Sequence, residues 1–425
     1  MKRALFSGLV IRWCAGLTVF TTFVAPRWIG TAEFGVAATV MAIPYLVQGF
    51  CEPVVMTLAI AQLGASDGRC KLARVRNDVT GAAVLGAMAA FLFALWYVPP
   101  DSTFNPAACG ALAAAFLALA TWNTWLIGLG YALKEHRVLM QTYVASGIAQ
   151  PVMLWLLRGY GSGAFLLSLI VSQLAVLAVL WSSQNLRREF RSLLAAVPAG
   201  SRSDYIAAVA PRISVLLLNT GTVLLAGILY SPARVAGFRL SIGVAGALNF
   251  LVPISPQILQ STLTSADASG RRSARIVLTI SFAIMCGLCG GLFLWSDELL
   301  ARLLQERSFS PMDGAIFLAM PFFLLIQPLS SYLYSTGRAR ITLWATLGCL
   351  TAFAVGTIFL DPRLAFAGGA IVQIAVSLAL LARGTATVNI CGAVGRPAIE
   401  AQSRSSRSYE LVRSGARLEP SPPPQ

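Results

Sequence analysis

Histidine is nearly absent: His136 is the only one in 425 residues, in the run Lys134-Glu135-His136-Arg137. A histidine-built metal site or catalytic triad therefore has no material, and His136 reads as a solvated loop residue. Charge is scarce too. Charged residues make up 12% of the chain against 57% hydrophobic, with a mean hydropathy of +0.73, whereas a soluble domain carries about 25% charged residues. Too little polar surface remains to cover a globule of this length, so the surplus apolar surface is expected to face lipid. No Walker-type phosphate loop occurs, which excludes ATP hydrolysis by that route, and no connection could hold a soluble catalytic domain. The chain is read as a non-enzyme without catalytic residues, metal or cofactor.

Lysine is almost missing as well, confined to Lys2, Lys71 and Lys134, so arginine carries nearly all of a net charge of +15. That bias is a compositional hint of a GC-rich bacterial genome. The basic residues do not gather as on a nucleic-acid-binding face. They sit in short runs between apolar stretches of roughly twenty residues, as membrane topology requires. Cysteines stand at 14, 51, 70, 109, 286, 289, 349 and 391, nearly all inside apolar segments. Cys286 and Cys289 form a C-x-x-C in mid-segment, which reads as small apolar packing rather than redox or metal chemistry.

The apolar segments run about 5–26, 35–62, 79–98, 106–131, 138–157 and 163–182, then about 206–230, 235–259, 275–296, 313–335, 341–360 and 364–383. Each is long enough to cross a bilayer as a helix. The first, although preceded by Lys2 and Arg3, has no small-x-small cleavage site and is kept as a span. The spacing predicts an all-α membrane protein of about twelve transmembrane helices. With the N-terminus inside, 23 Lys and Arg fall in cytoplasmic connections and tails and 6 in outer loops. This asymmetry places both termini in the cytoplasm and the chain in a bacterial inner (plasma) membrane.

The halves echo each other at an offset near 200. Arg12 answers to Arg212, Glu33-Phe34-Gly35 to Val235-Ala236-Gly237, Gly68-Arg69 to Gly270-Arg271, and Tyr131 and Arg137 to Tyr334 and Arg340. An even number of spans per copy gives parallel repeats with a cavity between lobes, a transporter's plan. The expected organisation is an N-terminal six-helix lobe (1–183), a cytoplasmic linker (184–205), a C-terminal six-helix lobe (206–383) and an Arg/Ser/Pro-rich disordered cytoplasmic tail (384–425).

Ionisable groups inside the spans cost several kcal/mol unless they meet a partner or a wet cavity. Arg12, Arg212 and Arg239 are three such cations. Turned to the lobe interface they would make a lumen suited to phosphate or pyrophosphate; snorkelling to headgroups is the alternative for Arg12 and Arg212. Glu52 is the acid deep in a span, on one stripe with Pro44 and Gln48. Glu52 and Gln48 are candidates for coupling to H+ or Na+, against a structural ion pair for Glu52. Pro44, Pro253, Pro256, Pro321 and Pro328 are expected to break or bend their helices. Trp122 and Trp125, around Asn123, are expected to pack or anchor.

The stretch Ala25-Pro26-Arg27-Trp28-Ile29-Gly30 through Glu33-Phe34-Gly35-Val36-Ala37, with Pro44, Gly49 and Pro53, resembles the start of Wzx-type polysaccharide/O-antigen flippases. These belong to the multidrug/oligosaccharidyl-lipid/polysaccharide (MOP) superfamily, which also holds the MATE transporters. Residues 234–256, with Ala236-Gly237-Phe238-Arg239-Leu240, resemble the matching region of their second lobe. The resemblance implies translocation of a polyprenyl-pyrophosphate-linked oligosaccharide for surface or exopolysaccharide biosynthesis, with Arg12, Arg212 and Arg239 in the cationic role. It also implies membrane lipids, and glycosyltransferases and a polymerase of the same pathway, as partners. Relatives that flip the peptidoglycan precursor have two extra helices, which this sequence lacks. A drug/cation antiporter of the same superfamily would favour acids over the three arginines, and a major-facilitator transporter would space Gly64, Asp67, Arg69 and Lys71 differently. A glycan ligase would need a larger outer loop than 297–312.

Overall fold

The computed structural model describes residues 14, 17, 20–63, 68–100, 102–198, 216, 220–251, 268–295, 298, 302, 315–335 and 339–382. Those residues are nearly all helical, and each of the expected apolar segments overlaps a helix. The first half holds α1 (20–29), α2 (Thr31–Val40), α3 (Ala42–Gln62), α4 (Gly68–Tyr97), α5 (Pro106–Ala132), α6 (His136–Leu156), α7 (Ser162–Ser182) and α8 (Gln184–Ala195). The second holds α9 (Thr222–Leu229), α10 (Pro232–Leu251), α11 (Ala268–Leu294), α12 (Ala315–Ser335), α13 (Ala339–Phe359) and α14 (Pro362–Ala382).

Side-chain sizes are distributed as lipid demands. On α4, Ala83, Gly86, Ala90 and Ala94 are buried, while Leu85 and Trp96 are 69% and 68% exposed and Met88 and Leu92 share their face. A helix in water would bury the large residues. Here the small ones let backbones approach, and the large ones fill the face turned to acyl chains. A Cβ on Gly86 would meet the Val47 side chain at 2.5 Å, so α3 and α4 cross in contact only because that side chain is missing. Among the described residues α4, α5 and α7 are long and apolar enough to cross a membrane, and α2 with α3 passes the same test only as a bent pair. The molecule is a multi-pass membrane protein.

The bend between α2 and α3 is 43° and falls at Met41. Pro44 explains it: its ring opposes the carbonyl of Val40 and it offers no N–H there. Pro321 and Pro328 behave otherwise. An interruption was expected at both, but α12 runs unbroken from Ala315 to Ser335. A proline inside a helix removes one backbone hydrogen bond, and neighbouring helices support the freed carbonyl in a packed bundle. Pro253 and Pro256 lie outside the described residues.

Glu33, one turn into α2, ties the first half together. Its carboxylate accepts hydrogen bonds from the Thr103 hydroxyl, the Thr103 N–H at 3.4 Å and the Ser162 N–H at 2.8 Å. It thereby satisfies the free N-terminus of α7 and pins the connection before α5. Gly161 precedes that terminus with φ +53°, which glycine adopts without strain.

The halves meet along α2 and α10. Ala236 and Leu240 of α10 belong to the same apolar core as Phe34, Val36 and Ala37. A side chain on Gly35 would run into the Pro232 carbonyl, and one on Gly227 of α9 would strike Thr39. The Arg27 guanidinium also donates to the carbonyl of Arg302. These contacts gather at the end of the bundle where α2 and α10 begin.

Candidate functional site: a polar cavity with one arginine

A cavity of about 300 Å³ lies among α1, α2, α3, α5, α6 and α7, and one residue of the second half enters it. Its apolar wall is aromatic: Phe34 meets Phe165 edge-on at 5.4 Å, and Tyr45 meets Phe116 edge-on at 5.5 Å. The polar wall comprises Gln48, Ser146, Gln150, Ser172 and Gln173. Ser146 and Ser172 bridge α6 and α7 by a hydroxyl pair at 3.0 Å. Asn123 of α5 donates to the Gln173 backbone carbonyl at 2.8 Å and to its side-chain oxygen at 2.7 Å. The Asn123 Oδ1 remains buried without a partner, an acceptor that a water or a hydroxyl would satisfy.

Arg239 closes the cavity from α10. It stands seven residues after Pro232, about 10 Å along the axis of α10 at 1.5 Å per residue. It is half-buried, and its electrostatic neighbour is the Tyr45 hydroxyl. No carboxylate lines the cavity among the described residues. A guanidinium in that setting presents its donors in a fixed fork suited to an anion.

In the second half Phe238, the neighbour of Arg239 on α10, meets Phe366 edge-on at 6.3 Å.

The expected site residues divide as follows. Arg239 and Gln48 line one cavity, which lies within the first half rather than in a lumen between lobes. Glu52, one turn beyond Gln48 on α3, is exposed and within electrostatic reach of Tyr143, which bonds Tyr131. Pro44 sits at the bend that orients Gln48. Arg12 and Arg212 lie outside the described residues. The sequence reading did not single out Tyr45, Gln150, Gln173 or the serine pair; a polar residue recurring within an apolar span was the available signal. Trp125 is buried and Trp122 lies at the surface. Cys289 is buried and Cys286 exposed, both as free thiols. Among the described residues no cluster of potential metal ligands occurs.

No known family profile matches the sequence, and no curated protein does either. Solved structures do match in shape. An inward-facing multidrug resistance MATE family transporter of the MOP superfamily superposes with a TM-score of 0.55 at 13% identity, covering 88% of this chain and 96% of that one. The lipid II flippase MurJ, in an inward closed conformation, gives 0.57 at 12% identity over 98% and 94%. The Vibrio cholerae MATE transporter VcmN gives 0.54 at 14% identity over 96% and 97%. The chain has the MATE/MurJ transporter fold. In that fold α2 of the first half pairs with α10 of the second, and Arg239 reaches a cavity formed by helices of the first half.

Proposed function

We propose that the protein is an inner-membrane flippase that moves a polyprenyl-pyrophosphate-linked oligosaccharide from the cytoplasmic to the outer leaflet. One observation carries the reading: Arg239 enters a polar cavity of about 300 Å³ that no carboxylate lines among the described residues. Such a cavity recruits an anion, and guanidinium grips phosphate oxygens through paired hydrogen bonds. The glutamine and serine wall suits sugar hydroxyls, which both donate and accept. A lipid II flippase shares the fold, which supports a lipid-linked substrate.

Orientation with both termini in the cytoplasm puts the α2–α10 contacts on the outer side. The lobes are then docked outside, and a rocking motion that releases Gly35 from Pro232 would open the outer path. Arg12 and Arg212 are proposed to extend the basic path toward the cytoplasm. Glu52, below the cavity and beside Tyr143, is proposed as the group that couples the cycle to H+ or Na+. Glycosyltransferases and a polymerase would supply and consume the glycan. A drug/cation antiporter ranks second, because a cationic substrate would meet Arg239 as a like charge. The test is glycan export in cells at equal protein level: Arg239→Ala is expected to reduce it strongly, and unchanged export overturns the proposal.

A further inference from the structure

The helix α8, in the stretch joining the halves, has a built surface that the transport reading does not use. It begins two residues after α7 ends, with the Ser183 hydroxyl accepting from the Leu186 N–H at 3.4 Å as its N-cap. Leu186, Phe190 and Leu193 are buried at helical spacing against Leu72, Val75, Leu126 and Leu129. Two arginines of α4 clamp it. Arg69 forms a forked ion pair with Glu189 at 2.7 and 3.0 Å. Arg76 donates to the carbonyls of Leu193 and Leu194 at 2.8 and 2.9 Å, capping the C-terminal end.

The clamp leaves Arg187, Arg188 and Arg191 on the other side of the helix, at i, i+1 and i+4. The one acid of α8, Glu189, is already neutralised by Arg69. Arg188 and Arg191 are exposed, and Arg187 has its Nε covered without a partner. On its packed side Trp122 and Trp181 cluster with Phe190, with Trp122 at 4.9 Å from it. Tryptophans collect at the headgroup level of a bilayer. Next to the arginines, Leu194 is 45% and Val197 76% exposed, an apolar flank. Cations carried on a helix held in place, beside exposed apolar side chains, match a phosphodiester joined to an acyl chain.

We infer that the Arg187–Arg188–Arg191 face of α8 binds the headgroup of an anionic phospholipid. The inference needs membrane embedding alone and is independent of what the Arg239 cavity carries. Each arginine near an anionic surface contributes about a fivefold gain in binding, so removing two costs roughly 30-fold.

The test is native mass spectrometry of the full chain in neutral detergent, titrated with phosphatidylglycerol or with phosphatidylcholine of the same acyl chains. Saturable binding of phosphatidylglycerol in preference to phosphatidylcholine is expected. The double variant Arg188→Gln/Arg191→Gln is expected to lose roughly 30-fold in that binding, with an unchanged melting midpoint in zwitterionic detergent. Arg188→Lys/Arg191→Lys is expected to restore it, and Arg239→Ala to leave it intact. Equal binding of the two lipids, or full retention by the Gln variant, overturns the inference. So does full competition by soluble glycerol phosphate, which would show a phosphate site rather than a lipid site. Should the Gln variant melt early, Arg191→Gln alone, whose side chain bonds nothing in the clamp, decides the question by the same readout.

Discussion

Replacing Arg239 should move transport and stability in opposite directions, which separates a ligand-binding arginine from a structural one. The guanidinium has the Tyr45 hydroxyl as its electrostatic neighbour, and among the described residues no carboxylate lines the cavity. An unpaired cation inside a span costs on the order of 2–3 kcal/mol in the membrane. Arg239→Met keeps the aliphatic stem, fills the same space and removes the charge. The melting midpoint of the purified protein should therefore hold or rise. When a pyrophosphate occupies the site, two charge-assisted hydrogen bonds from the fork contribute about 2–3 kcal/mol. Their loss weakens apparent affinity roughly 30- to 140-fold at about 1.4 kcal/mol per decade. Arg239→Lys keeps a charge but loses the fork, so it should fall between wild type and Met. The assay pairs glycan export at equal protein level with thermal unfolding in detergent. A fall in export matched by a fall in melting midpoint would refute the reasoning, since breaking a structural ion pair costs about 3–5 kcal/mol of stability. Unchanged export would refute it equally.

The lobe contact predicts that Gly35→Val blocks docking, because the side chain meets the Pro232 carbonyl; overpacking of about 1–3 kcal/mol should shift the outer path toward open, read as thiol labelling of a cysteine placed at position 232. For Glu33→Gln, loss of charge in the bonds to Thr103 and Ser162 should lower stability by about 1–2 kcal/mol, measured by thermal unfolding, with substrate affinity retained. Export by Glu52→Gln should no longer follow an imposed proton or sodium gradient while still running downhill; export that tracks the gradient as in wild type would remove Glu52 from coupling.

How much was legible beforehand depends on the range of each interaction. Spans are local, and the apolar windows located a helix for each of them. The bend at Met41 is also local, since Pro44 opposes a carbonyl four residues back. Pro321 and Pro328 showed the limit of that argument: the same chemistry inside α12 leaves the helix continuous, because tertiary packing decides whether a lost hydrogen bond becomes a break. Arg239 was visible as a cation in an apolar segment. Its company was not, because Gln48, Gln150 and Gln173 come from three helices that meet only in the fold. Glu33 was legible as part of a turn pattern, but its hold on Thr103 and Ser162 spans 70 and 129 residues. A search for spans of roughly twenty residues passed over α8, a polar helix of 12 residues. The signal was present in Leu186, Phe190 and Leu193 behind the Ser183 cap.

In the proposed function the substrate is an anionic lipid-linked glycan held by Arg239. Reconstitution in liposomes with a polyprenyl-pyrophosphate sugar bearing a fluorophore tests it directly, because a membrane-impermeant reductant quenches only the outer leaflet. Wild-type protein should render the whole pool quenchable, Arg239→Ala should leave the inner pool protected, and a neutral polyprenyl glycoside should stay where it was placed. Equal movement of the neutral lipid, or transport of a cationic dye with no movement of the pyrophosphate lipid, would contradict the account.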